Sequence, residues 1–176
     1  MNYIRAIYLI IALFSVSTLS CQKEKPQVEV GVIPPGMVSP FHSQIVAGAR
    51  EAAKKLGWKL DVLAPERETD FMDQVRIVED LIERGVDALS VNSIDDRAIV
   101  TAVRKANSVN IPFFVHNSLT PLPSGEVTAY IGYDQREGGR KMGRKAVELL
   151  GGKGKIAILE GIPGFHTTER LSLIHI

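Results

Sequence analysis

Apolar positions along the chain follow two rhythms that alternate. Short β-branched or aliphatic runs read as strands buried on both faces: Val28–Ile33, Leu60–Ala64, Ala88–Val91, Ile111–Val115, Val127–Gly132 and Lys155–Leu159. Between them, apolar residues recur at spacings of three and four, the signature of one helical face. Ile45, Val46, Ala49, Ala52, Ala53 and Leu56 make the first such stripe, closed by Gly57. Phe71, Val75, Val78 and Ile82 make the second, stopped by Gly85. Ile99, Val103 and Ala106 make the third. Met142, Ala146 and Leu149 make the fourth, on a helix that starts near Gln135 and ends at Gly151–Gly154. Strict alternation of strand and helix predicts an α/β fold, a doubly wound parallel sheet with helices on both faces. Right-handed crossovers then put every strand-to-helix loop on the carboxyl edge of the sheet, where open α/β sheets bind ligands.

That edge collects a particular chemistry. Ser39, Phe41 and His42 follow the first strand. Asn92 and Ser93 follow the third, and His116, Asn117 and Ser118 follow the fourth. Asp134 follows the fifth, and the stretch from Gly161 to Arg170 follows the sixth. One aromatic ring among amides, hydroxyls, imidazoles, a carboxylate and a guanidinium suits a polyhydroxylated ligand. A sugar offers an apolar ring face for stacking and hydroxyls that both donate and accept. Plainer readings stand beside this one. Phe41 could plug the core, His42 could face solvent at a helix start, and His116 could point back into the fold. Asn92 and Ser93 read as a cap for the helix from Asp96 onward.

Composition narrows the field. A net charge of +1 over 176 residues leaves no electrostatic footprint for nucleic acid. Aromatic residues make up only 6% of the chain, so an exposed ring weighs more than usual. His166 and Glu169 are two candidate metal ligands without a third. The GGKGK segment lacks the spacing and the Ser or Thr of a phosphate loop. No nucleophile elbow, zinc-protease motif or spaced acid pair is present, so no enzyme activity, metal or cofactor is expected. The charges of the second helix form a solvated face.

The amino-terminal residues 1–20 carry Arg5 and then an apolar run from Ala6 to about Val16, which reads as a secretory signal. Cys21 is the one cysteine and directly follows Ser20, an arrangement that resembles the lipobox of bacterial lipoproteins. Thr18 stands where that pattern prefers leucine, and Leu19 comes one residue late. The expectation is a lipid anchor at Cys21, with a plain signal peptide as the alternative. Either way the mature protein leaves the cytoplasm. Residues 21–27 read as a tether.

The SPF turn, GAREAAKKLGW, DALSVNSIDDRAIVTAVRKANSVNIPFF, YIGYDQREGGRKMGRKAVELL and GKIAILEGIPG occur in an order and spacing that resemble the periplasmic sugar-binding proteins of the ribose-binding type. These are the solute receptors of ABC importers. The resemblance runs from about Val28 to Arg170. It implies a flavodoxin-like first lobe of a two-lobe fold, with ligand held between lobes that close as a hinge. It further implies that Phe41 and His42 stack on the sugar, with Ser39 where a hydrogen-bonding amide is common. Asn117 falls on a ligand-binding Asp or Asn. Ser118 stands where arginine often follows, a departure that counts against ribose itself. Arg170 matches a second-lobe arginine, and Asp134 matches an aspartate near the ligand or hinge.

The implied organisation is a lobe over residues 28–134, a helix over 135–154 that packs on or crosses from it, and the start of a second lobe over 155–171. The apolar residues 172–176 are unlike the family and read as a non-native tail on a truncated chain, for which poor solubility is expected. The expected function is an extracytoplasmic solute-binding lipoprotein. It would deliver a sugar to ABC permease subunits, with membrane contact through its lipid anchor. A ligand-sensing module for a chemoreceptor or sensor kinase is the alternative. A transcription repressor would need a helix-turn-helix where the signal stands, and an enzyme would need a catalytic constellation.

Overall fold

In a computed structural model, which describes residues 27–158, five parallel strands form one sheet in the order β2-β1-β3-β4-β5. They are β1 (Glu29–Ile33), β2 (Lys59–Val62), β3 (Ala88–Val91), β4 (Phe113–His116) and β5 (Ala129–Ile131). The helices are α1 (Pro40–Leu56), α2 (Phe71–Glu83), α3 (Val100–Ser108) and α4 (Gln135–Leu149). The order confirms the flavodoxin-like, doubly wound arrangement. The signal, Cys21, Arg170 and the tail over 172–176 lie outside the described residues, as does the start of a second lobe beyond residue 158.

The chain steps one way across the sheet from β1 to β2 and the other way from β2 through β3 to β4. With right-handed crossovers, α1 must therefore lie on one face and α2 and α3 on the other. Burial agrees. Ile33, Leu89, Val91, Phe113 and Val115 form one cluster with Val75, Val78, Leu81 and Ile82 of α2 and Ile99, Ala102, Val103 and Ala106 of α3. No residue of α1 joins it. Because strand side chains alternate, Val32, Ser90, Phe114 and His116 face the other way, toward α1. Val46 and Ala53 of α1 are buried on that side, as is His42.

Both glycine stops form as expected. Gly57 and Gly85 sit at φ of 68° and 75°, the left-handed region that ends a helix cheaply only for glycine. No helix joins β4 to β5. A loop takes that place, sewn down by Asn107, whose carboxamide bonds both the Glu126 carbonyl and the Glu126 N–H at 2.9 and 2.8 Å. Leu122 of that loop is buried on the α2–α3 core.

Two expectations fail. Residues 155–158 carry no strand, and Ile156 is exposed. A β-branched run becomes a strand only beside a partner, and no neighbour for it lies among the described residues. On α4, Met142 and Leu149 of the expected apolar face are exposed, while Gln135 and Gly139 are the buried positions. Periodicity shows that a helix has an apolar face, not what covers it.

Ions gather on the amino edge of the sheet, away from the loops. Arg84, at the end of α2, bonds Glu29 at 3.0 Å and also reaches Asp61, while Lys59 pairs with Glu29 at 2.8 Å. Burial works to raise the Asp61 pKa, but the hydrogen bond it accepts from Arg84 and the Arg84 and Lys59 charges hold it below the usual value.

Candidate functional site

The strand order reverses between β1 and β3, and the carboxyl ends beside such a reversal are the usual ligand position in these sheets. The turn after β1 folds as a helix start. Ser39 is the N-cap of α1, and its hydroxyl accepts from the Phe41 N–H at 3.3 Å, with Pro40 in the first turn. The Ser39 carbonyl accepts from the N–H groups of His42 and Ser43 at 3.1 and 3.2 Å. Its hydrogen-bonding capacity thus serves the helix. Phe41 and His42, which follow Pro40, are placed differently. Phe41 is 48% exposed, while His42 is 92% buried at 8% exposure. The two rings meet edge to face, with centroids 5.5 Å apart and planes at 63°.

His42 turns its Nδ1 inward, 3.3 Å from the Gly36 carbonyl and 3.6 Å from Glu68 Oε1. Glu68 comes from the loop after β2, a stretch that the alternation of apolar runs does not single out. Gly36 makes room for it: a Cβ there would lie 2.5 Å from Glu68 Cγ.

The loop after β3 is held by Gln74 of α2, a fully buried amide. It donates to the Asn92 carbonyl and accepts from the Ile94 N–H, both at 2.9 Å. Asn92 and Ser93 are buried at the strand end. The capping role expected of them falls to Asp95, whose carboxylate accepts from the N–H groups of Arg97 and Ala98 at 2.8 Å each. Asp95 lies close enough in sequence to close that turn, which a pair at 92 and 93 does not.

At the end of β4, His116 does point into the fold, on the α1 side. Its Nδ1 lies 3.0 Å from the Ser90 hydroxyl. Burial, with the nearby His42 charge adding to it, pushes its pKa down to about 4. His116 is therefore neutral near pH 7. Asn117 follows at φ of 64°, a left-handed conformation that asparagine tolerates. Its N–H donates to the Ile131 carbonyl at 2.7 Å, and its half-buried carboxamide makes no hydrogen bond among the described residues. Ser118 is buried and its hydroxyl accepts from the Thr120 N–H at 3.1 Å, which ties it to the turn. Gly132 backs this corner: a Cβ there would stand 2.5 Å from the Ser118 nitrogen and 2.8 Å from the Asn117 carbonyl carbon. Asp134 is exposed and caps α4, accepting from the Glu137 N–H at 3.0 Å.

Three buried polar atoms among the described residues have no hydrogen-bond partner: Glu68 Oε1, Ser93 Oγ and His116 Nε2. All three belong to loops or strand ends on the carboxyl edge. Proteins rarely leave such groups unmet, because each costs about 1–3 kcal/mol. Of the expected ligand residues, Phe41 keeps an exposed ring and Asn117 a carboxamide without a hydrogen bond among the described residues, Ser39, Ser118 and Asp134 make caps and turns, and His42 is tied at one nitrogen. Glu68, Gln74, Ser90 and Gly132 escaped sequence reasoning. Only Gln74 left a signal there, as an amide within the apolar stripe of α2. No set of three or more His, Cys, Asp or Glu side chains among the described residues is gathered as a metal site.

Comparison with known proteins agrees with this geometry. Residues 30–172 match the sequence profile described as periplasmic binding protein domain. The chain is 32% identical over 184 residues to the ribose import binding protein RbsB of Bacillus subtilis, covering 97% of this chain and 59% of that one. Among solved structures it resembles an ABC transporter periplasmic solute binding protein from Actinobacillus succinogenes with bound D-allose. That match has a TM-score of 0.75 and 28% identity, over 83% of this chain and 52% of that one. It also resembles an ABC transporter solute binding protein from Burkholderia graminis in complex with D-arabinose. There the TM-score is 0.77 and the identity 27%, over 84% and 50% of the two chains. The chain thus spans between half and three-fifths of the length of these proteins.

Proposed function

The chain belongs to the periplasmic binding protein domain family, and from that premise we propose that it binds a sugar or sugar-like solute outside the cytoplasm and hands it to an ABC importer. The observation that carries this reading is the pair of unengaged groups at the carboxyl edge of the sheet. Phe41 exposes a ring to stack on an apolar sugar face, and Asn117 offers an unengaged carboxamide from β4. The relatives named above include a ribose import protein and proteins holding D-allose and D-arabinose, which supports a pentose or hexose as ligand.

In this reading residues 28–134 form one wall of the cleft, and the chain from 155 onward opens the lobe that supplies the other, with Arg170 as one of its contacts. Binding consists of stacking, hydrogen bonding and closure, with no chemical step. Cys21 carries a lipid that keeps the receptor at a membrane surface near its permease.

A thermal-shift and calorimetric screen of the chain against aldopentoses and aldohexoses tests the binding. A ligand at 100 times its Kd raises stability by about 2.7 kcal/mol, a readily measured rise in Tm. No shift with any sugar of the panel refutes the reading. Labelled fatty acid should enter the wild-type protein in a bacterial host and not the Cys21→Ser variant; equal labelling of both refutes the anchor.

A further inference from the structure

We propose that Gly36 and Glu68 hold His42 edge-on, so that it meets the ligand as a hydrogen-bonding group through Nε2 rather than as a second stacking ring. The inference rests on the sugar-binding reading above and specifies one contact of that site.

The ring geometry comes first. A flat sugar face can lie on two aromatic residues together only if their rings are nearly parallel. The planes of Phe41 and His42 stand at 63°, edge to face. Phe41 is the exposed one of the pair, so the stacking surface belongs to it, and His42 is left to present an edge.

The hydrogen bonds decide which edge. Nδ1 faces the Gly36 carbonyl at 3.3 Å, an acceptor that never carries a proton. Contact therefore requires a hydrogen on Nδ1. Glu68 Oε1, 3.6 Å from the same nitrogen, favours that hydrogen too. A neutral imidazole with its proton on Nδ1 has a lone pair on Nε2. Nε2 lies on the opposite edge of the ring and has no hydrogen-bond partner among the described residues. The ligand group that complements it is a hydroxyl that donates, as every sugar hydroxyl can.

Glu68 has no other evident employment. Its Oε1 is buried without a hydrogen bond, an arrangement a protein keeps only when something is gained. It reaches this place because residue 36 is glycine. A Cβ there would meet Glu68 Cγ at 2.5 Å and its Oε1 at 3.1 Å. Glu68 and Gly36 are thus positioning residues that act through His42.

Two measurements test the proposal. The first needs no ligand: long-range nitrogen–proton NMR of the histidine rings at pH 8 reads the tautomer. His42 should carry its proton on Nδ1 in the wild type, and Glu68→Gln should reduce that preference. A His42 protonated on Nε2 overturns the proposal. The second is calorimetry with D-ribose, D-allose and D-arabinose. For whichever sugar binds, His42→Phe, which keeps a ring and removes the nitrogens, should weaken binding about tenfold or more. That range is ordinary for deleting one partner of a buried ligand hydrogen bond. Glu68→Gln should weaken it several-fold with Tm unchanged, and His42→Gln, which restores an acceptor, should recover part of the loss. Full affinity in His42→Phe shows stacking and overturns the proposal. If none of these sugars binds the wild type, the sugar-binding reading is what fails, and the tautomer still decides the role of Glu68 and Gly36.

Discussion

Replacing His116 by leucine should flatten the acid limb of the stability profile. His116 is 8% exposed, and its pKa in the fold is about 4 against an ordinary 6.5. The unfolded chain therefore takes up the proton more readily than the native one, and stability rises with pH through this interval. The contribution is fully present above pH 6.5 and drains away as pH falls from 6.5 toward 4. The gap between those values, at about 1.36 kcal/mol per pH unit, amounts to about 3 kcal/mol in total. Between about pH 7.5 and about pH 5 the linkage integral is about 2 kcal/mol. Urea unfolding at those two pH values measures it directly. The wild type should lose about 2 kcal/mol more than His116→Leu does. The variant also strands the Ser90 hydroxyl, but that cost is the same at both pH values and cancels in the difference. Parallel pH profiles for the two proteins would refute the placement of His116 as a buried, neutral imidazole.

Other variants probe the frame of the site. Gln74→Leu removes the bridge between the Asn92 carbonyl and the Ile94 N–H, so two buried backbone groups lose their partner; unfolding free energy should fall by at least about 2 kcal/mol, and a loss under about 0.5 would show that water replaces the amide. Ser39→Ala deletes the cap of α1 and should cost about 1 kcal/mol in urea unfolding, whereas an unchanged midpoint would mean the Phe41 N–H bond at 3.3 Å contributes nothing. Gly132→Ala drives a methyl group into the backbone of Asn117 and Ser118, which should cost about 1–3 kcal/mol and shift the amide NMR signals of both residues; unchanged signals would contradict the close approach.

Much of the fold was legible in the chain because it rests on local pattern. Ala88–Val91 is a strand over the residues its apolar run marks, and Val75, Val78 and Ile82 of α2 are buried as their spacing requires. Gly57 and Gly85 end their helices for a reason internal to glycine. The carboxyl edge as the candidate ligand edge follows from alternation and handedness alone. Sequence also placed an exposed ring at Phe41, and the structure leaves it exposed.

What the chain did not disclose concerns partners distant along it. Whether Ser39 meets a ligand or a helix end depends on where the Phe41 N–H points once α1 has formed. Glu68 reads as one more loop carboxylate until β1 and β2 pair and carry it under His42. Residues 155–158 have the composition of a strand, but a strand exists only through its ladder. Burial periodicity is written residue by residue, so sequence alone determined the layers of this protein and the edge where its candidate ligand-binding groups collect. Hydrogen bonds are directional and short, so only the tertiary structure decided which of those polar groups are spent on caps and turns, and which remain free to bind.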